Sequence, residues 1–422
     1  MDRFPNTAPS FDTTMTFAVL TGLAIPNLVF GRAVFAATAG LALLALLISP
    51  LRSNSWSVLI CQARSPLGLL IGLIILSWSV SALASEFPIR ALEASLRTGI
   101  FLGAAVLFYA ALLEDRALAT RCLKTLVVLT IVGTSFALIA STIFPEIYWA
   151  LRFKGMRTMP LQTEFKGYSA LIVLITPLLL IGFWRFSTWW RIASAVGIIQ
   201  FAAITWMSSN RSAIAGLLFM AMTLSVAQIF RPAYRRRAAG IACGFMTILV
   251  GVIVWLYTSR LQIATSRAPE GDWLFPVWLI DFQRQTVWSF TLNIWERAPW
   301  FGVGPNTINF SPGANTPMPG DEKLHIIPGH PHNWVVELLA ETGSIGFLIL
   351  AATIGCISYL WMRWYARSGD IAVMSALLIF AGYWGSGLFN FSYWAAWWQF
   401  SLFMACAIAL SHVQEIKSQS VA

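Results

Sequence analysis

Long apolar stretches recur along this chain and limit what it can fold into before any motif is considered. Windows near 15–30, 33–49, 67–85, 98–113, 125–144, 168–184, 192–208, 213–230, 238–257, 343–362, 371–389 and 395–411 consist mainly of Ala, Val, Ile, Leu, Phe and Trp. A helical membrane span takes about 20 apolar residues. Backbone polar groups in lipid must be satisfied within the segment, which makes helices the economical solution. The expected fold class is therefore all-α, a polytopic membrane protein of about 12 transmembrane helices. Composition agrees: 58% of the 422 residues are hydrophobic, 20 are Trp and only 11% are charged, more apolar surface than a soluble domain needs.

The windows divide the chain into three parts. Residues 1–257 hold spans one to nine, 258–333 form a long loop segment with short helices, and 334–422 hold the last three spans. The polar start from Met1 to Thr14 contains no small-residue cleavage site followed by a soluble domain, so the first apolar stretch is expected to remain as a span. The net charge of +10 is scattered between apolar windows. That pattern fits basic inner loops rather than a nucleic-acid surface. With the N-terminus inside, the short inner turns carry Arg52, Arg64, Arg116, Arg121, Lys124, Arg185, Arg191, Arg231, Arg235, Arg236, Arg237, Arg363 and Arg367. Segment 258–333, with Arg260, Arg267, Arg284, Arg297 and Lys323, then faces outward, as does 145–167 with Arg152, Lys154, Arg157 and Lys166. As a group these outer cations suit an anionic partner. The five cysteines imply no disulfide framework.

The long segment carries the chemistry. Helical spacing over 281–297 puts Phe282, Trp288, Leu292 and Trp295 on one apolar side. The run Ala298–Asn306 ends that helix with Pro and Gly, and 311–331 reads as an irregular cap. His332 stands at the water edge of the tenth span, where an imidazole can exchange protons near neutral pH. A helix-capping histidine is the plainer alternative. Arg211 sits in the tight outer turn between the seventh and eighth windows. An arginine close to the bilayer is a functional candidate by default, though it can also snorkel to headgroups. Its guanidinium stays charged and can grip phosphate with two bonds. Glu337 and Glu341, one turn apart, suggest interfacial ion-pair partners. His325, His330, Asp321 and Glu322 have poor metal-ligand spacing, so no metal is expected. No phosphate-binding glycine loop of the nucleotide-hydrolysing type occurs.

The string Pro331-His332-Asn333, nine residues, then Gly343-Ser344-Ile345-Gly346 resembles the motif of the O-antigen ligase and polymerase family of bacterial envelope glycosyltransferases. The chain departs from it after the last glycine, where Phe347 and Leu348 replace the small polar residues that ligases often carry. The resemblance implies a GT-C-like membrane fold and a metal-independent, cofactor-free, inverting transfer of O-antigen from undecaprenyl pyrophosphate to lipid A-core. It places the active site on the periplasmic face of the inner membrane, among membrane lipids. It implies His332 as general base and Arg211 as a pyrophosphate ligand. An arginine ahead of a Trp and a Pro-x-x-Gly-x-Gly run implies Arg284 as the second, with Arg297 as its competitor. Arg152, Arg157 and His330 are secondary candidates. An O-antigen or exopolysaccharide polymerase, a protein O-oligosaccharyltransferase and, outside enzymes, a lipid-linked glycan transporter remain open as alternatives.

Overall fold

The computed structural model describes residues 12–151, 165–231, 235–267 and 273–414; Arg152 and Arg157 fall outside them. The helices are α1 (Thr13–Ala24), α2 (Arg32–Ile48), α3 (Arg52–Ala63), α4 (Pro66–Leu83), α5 (Pro88–Glu114), α6 (Arg116–Thr142) and α7 (Pro145–Leu151). They continue as α8 (Lys166–Arg185), α9 (Thr188–Ser208), α10 (Arg211–Ile229), α11 (Arg235–Arg267), α12 (Phe282–Arg297), α13 (Trp334–Ser368), α14 (Ile371–Gly387) and α15 (Ala396–Ser411). Every apolar window coincides with one of them. Among the described residues eight helices are long and apolar enough to cross a membrane, or nine if α2 and α3, bent by 105° at their junction, count as one span. Three further apolar helices, α1, α14 and α15, are shorter than that, so the spans long enough by themselves are fewer than the 12 expected. The protein is thus a helical, multi-pass membrane protein.

Local signals explain where these helices start. The Asp12 carboxylate caps α1 by accepting from the amides of Thr14 and Met15. Asp115 caps α6 through the Ala117 amide, and Ser65 caps α4 ahead of Pro66. Such side chains satisfy amides that the first turn leaves unpaired. Helices α5 and α6 begin before their apolar windows because the turns rich in Arg and Glu are helical too.

Helix α14 is the central post. It is buried along most of its length and packs against α8, α10, α13 and α15. Helix α11 packs on α10 and exposes Ile248, Val250, Val254 and Trp255, a surface that suits contact with lipid.

Two sequence expectations are corrected within the long segment. The cap is not wholly irregular: β1 (Pro317–Met318) and β2 (Asp321–His325) pair antiparallel. The buried side of α12 is Gln285, Val287, Trp288, Thr291 and Ile294, so the helix is rotated from the expected apolar stripe. It is a short helix held between a loop and α13, and packing sets its rotation more strongly than its weak amphipathicity.

Candidate active site

One loop organises the site. It joins α14 to α15 and runs from Phe389 to Trp394. Its backbone carbonyls serve as acceptors: Arg284 Nη2 donates to Phe389 O at 3.0 Å. The next carbonyl, Asn390 O, lies 3.1 Å from His332 Nδ1 and 3.0 Å from His330 Nε2. The two imidazoles pack against each other at a tilt of 52°, their centroids 4.2 Å apart. The Asn390 side chain fixes the loop by donating to Ser212 Oγ at 2.7 Å, on the first turn of α10. The same loop places Arg97, from α5, against the Trp394 carbonyl at 2.8 Å.

A carbonyl can only accept, so the geometry assigns a proton to His332 Nδ1 and leaves the lone pair on Nε2. His332 adopts φ of +57°, a conformation that costs a non-glycine residue about 1 kcal/mol. It is not the helix cap. That work falls to Asn333, whose side chain accepts from the Val335 amide at 2.9 Å. Burial pushes the His332 pKa down to about 3, helped by neighbouring His330 and Arg284 and opposed by the Asn390 carbonyl. Burial, aided by Arg32, lowers that of His330 as well. Both rings are therefore neutral near pH 7. Arg32 is also close to this end of the bundle, its guanidinium 5.2 Å from the Trp397 ring centroid.

The arginines separate by their surroundings. Arg284 is half-buried and lies over the Phe389 ring at 5.9 Å. Its own pKa is lowered by burial, an effect opposed by Asp281 and reinforced by Arg211 and Arg260. Arg211 opens α10, just after Ser209 in the left-handed conformation and the cap residue Asn210. It pairs with Asp281 at 3.1 Å. Arg260 of α11 pairs with the same carboxylate and donates to Trp278 O at 2.8 Å. Arg297 is exposed at the far end of α12 and shares none of these contacts. Arg211 and Arg260 line a groove of about 830 Å³, walled also by Ile172, Phe201, Trp206, Leu217, Trp255 and Leu256. Two cations thus line a groove whose other walls are mainly apolar.

Among the described residues the two glutamates pair with no cation and act as hydrogen-bond acceptors. Glu337 and Glu341 are buried and accept from backbone amides. Glu337 Oε2 accepts from Tyr393 N at 2.8 Å, which ties the organising loop to α13. Glu341 accepts from Ile308 N at 2.9 Å, Asn306 N at 3.0 Å and the Trp394 indole. One carboxylate therefore fastens both the run after α12 and the loop after α14.

The first motif glycine also has a structural explanation. Gly343 breaks α13 with φ of +66° and ψ of 179°. Into that break fits the run after α12: Ser344 N donates to Pro299 O at 2.8 Å and Ile345 N to Trp300 O at 3.2 Å. Val303 N and Gly304 N donate to Ala340 O and Glu341 O at 3.0 and 2.9 Å. A side chain at 343 would collide with the Trp300 carbonyl. Gly346 is small because Thr342 and Trp78 lie against it.

Of the sequence candidates, His332, His330 and Arg284 come together on one loop, and Arg211 stands beside them through Asp281. His325 is elsewhere, exposed, with its ring against Asn315 O at 2.6 Å. Among the described residues no three His, Cys, Asp or Glu side chains gather as a metal site. Sequence reasoning placed Arg260 only within the outer group of cations suited to an anionic partner, and missed Asp281, Arg32 and the Phe389–Asn390 carbonyls. An arginine closing the ninth window was a legible signal; backbone carbonyls give none.

These features define a membrane-embedded helical protein with an imidazole and a set of arginines gathered at one end. Residues 196–351 match the family described as O-antigen ligase, a stretch from α9 into α13 that holds Arg211, Arg260, Arg284, His330, His332, Gly343 and Gly346. That stretch is similar to the O-antigen ligase family, in line with the resemblance read from the His332–Gly346 pattern. The chain is similar to a putative polysaccharide ligase of Rickettsia felis, 26% identical over 119 residues, covering 27% of this chain and 28% of the relative. A putative polysaccharide ligase of Rickettsia conorii is 24% identical over 118 residues with the same shares, and one of Rickettsia bellii 25% over 118. The chain thus spans little more than a quarter of the length of these relatives.

Proposed function

We propose that the protein is a glycosyltransferase that moves a polysaccharide from undecaprenyl pyrophosphate to lipid A-core on the periplasmic face of the bacterial inner membrane. The observation that carries this reading is the placement of Arg284 and His332 on successive carbonyls of one loop. A cation and a neutral proton acceptor are thereby held side by side, as displacement of an anionic leaving group by a hydroxyl requires. The matching family description and the relatives' names support it.

In this reading the donor's prenyl chain lies in the apolar groove and its pyrophosphate is held by Arg211 and Arg284, with Arg260 close by. Fixed guanidinium groups stabilise the charge that develops on the leaving pyrophosphate. The acceptor hydroxyl attacks the anomeric carbon from the opposite side, inverting it, and gives its proton to His332 Nε2. Without a bound anion the buried imidazole is a weak base. The donor's negative charge offsets Arg284 and favours imidazolium, so base strength rises as substrate binds. The hydroxyl becomes acidic as its new bond forms, so the base is needed late. No step calls for a metal or a nucleotide.

Purified protein in lipid nanodiscs, given lipid-linked donor and acceptor, tests the assignment. His332→Ala is expected to lower turnover roughly 100- to 10,000-fold while donor binding is retained. A loss under tenfold refutes the base assignment. In cells, deletion should leave full-length chains unattached; single repeats attached to core would instead indicate a polymerase.

A further inference from the structure

On the side of α12 turned away from Arg284 lies a cleft of about 730 Å³ that has no part in the mechanism above. Its floor is a polar stripe of Ser289, Asn293 and Glu296, spaced to share one face of the helix. All three are exposed, and no hydrogen bond within the protein engages them among the described residues. Aromatic side chains, Trp273, Phe275 and Phe290 foremost, wall the stripe.

The wall is fixed in place. The buried Gln285 amide clasps it to α12: its Oε1 accepts from Phe275 N at 2.9 Å, and its Nε2 donates to Phe275 O at 2.8 Å and Ile280 O at 2.9 Å. Trp273 packs on Phe282 with centroids 6.0 Å apart. The cleft also reaches the catalytic segment. Asn333 and Val336 line its inner end, and the Trp288 indole donates to Pro331 O at 3.0 Å, one residue from His332.

Flat aromatic faces beside free amide, hydroxyl and carboxylate groups suit a ligand with both C–H faces and many hydroxyls. We propose that this cleft is a subsite for neutral sugar units, seating the pyranose residues next to the reacting bond. Glu296 accepts from hydroxyls and repels acidic sugars, so the preference is for uncharged hexoses. The inference rests on the transferase reading for its biological source, since either the donor polymer or the acceptor core could supply the sugars.

The test uses the full-length protein in nanodiscs and two probes, the repeat-unit oligosaccharide released from the donor by mild acid and the delipidated core oligosaccharide. Tryptophan fluorescence is titrated with each. Saturable quenching by one probe is expected, weakened about fivefold in Asn293→Ala and about tenfold or more in Trp273→Ala. The responding probe names the source, and the same variants should raise KM for that substrate alone while kcat is kept. Glu296→Gln should bring acidic oligosaccharides into range. Quenching that is absent for both probes, or identical in Trp273→Ala, Asn293→Ala and the parent, overturns the subsite. Unchanged melting temperatures in Asn293→Ala show that lost affinity is not lost folding. If the parent binds sugar but transfers none, the transferase reading fails and the subsite stands.

Discussion

Replacing Gly343 with alanine tests the way the site is assembled. The residue occupies φ of +66° in a helix break into which the 298–304 run is docked. Alanine in that conformation costs about 1 kcal/mol or more. Its methyl group would also overlap the Trp300 carbonyl, so the run must back away. Backing away stretches the bonds that frame the break, Ser344 N to Pro299 O and Ile345 N to Trp300 O, each contributing about 1 kcal/mol. Together these effects weaken docking by about 3 kcal/mol, roughly 100-fold in the opening equilibrium. Hydrogen exchange in nanodiscs reads this directly. Amides of Val303, Gly304, Ser344 and Ile345 should lose about two decades of protection, while those of central α14 should keep theirs. Transfer should fall with the same variant, because Glu341 loses its grip on Asn306 and Ile308. Protection within about threefold of the parent would refute the argument that the glycine exists for close backbone approach.

The remaining expectations concern charge, pH and topology. Arg284→Ala should lower donor affinity severely and Arg297→Ala only slightly, measured by binding of lipid-linked donor; equal losses would show that burial against Phe389 does not mark the ligand. Because the folded His332 pKa is lowered to about 3, kcat/KM should show no acid limb from this residue near 6.5, its ordinary value. The same shift has a stability consequence: an unfolded histidine takes up a proton below about 6.5 and the buried one does not. Stability should therefore fall from that pH toward 3, and His332→Asn should flatten the decline in urea titrations; an unaltered slope would contradict the burial of the ring. In a cysteine-free background in whole cells, an impermeant thiol reagent should modify Pro317→Cys and spare Ser368→Cys; the reverse pattern would invert the site's placement.

The sequence by itself determined the solvent this chain folds in. Its twelve apolar windows all became helices, because lipid leaves the backbone no other partner. It also singled out candidate site residues: Arg211 because an arginine at a membrane boundary is chemically expensive, His332 and Arg284 because of the motif that each belongs to. The spacing of Glu337 and Glu341 was legible as one helix face, but what they hold was not, since their partners are amides 33 to 56 residues away in the chain. Only the tertiary structure decided that Arg284 rather than Arg297 joins the histidine, and that Arg260 and Asp281 join Arg211. It also decided the rotation of α12, the tautomer of His332 and the organising role of Phe389 and Asn390. These depend on backbone carbonyls and on close approach between distant segments. Every residue carries a carbonyl, so its position in space, and not its identity in the sequence, makes it part of a site.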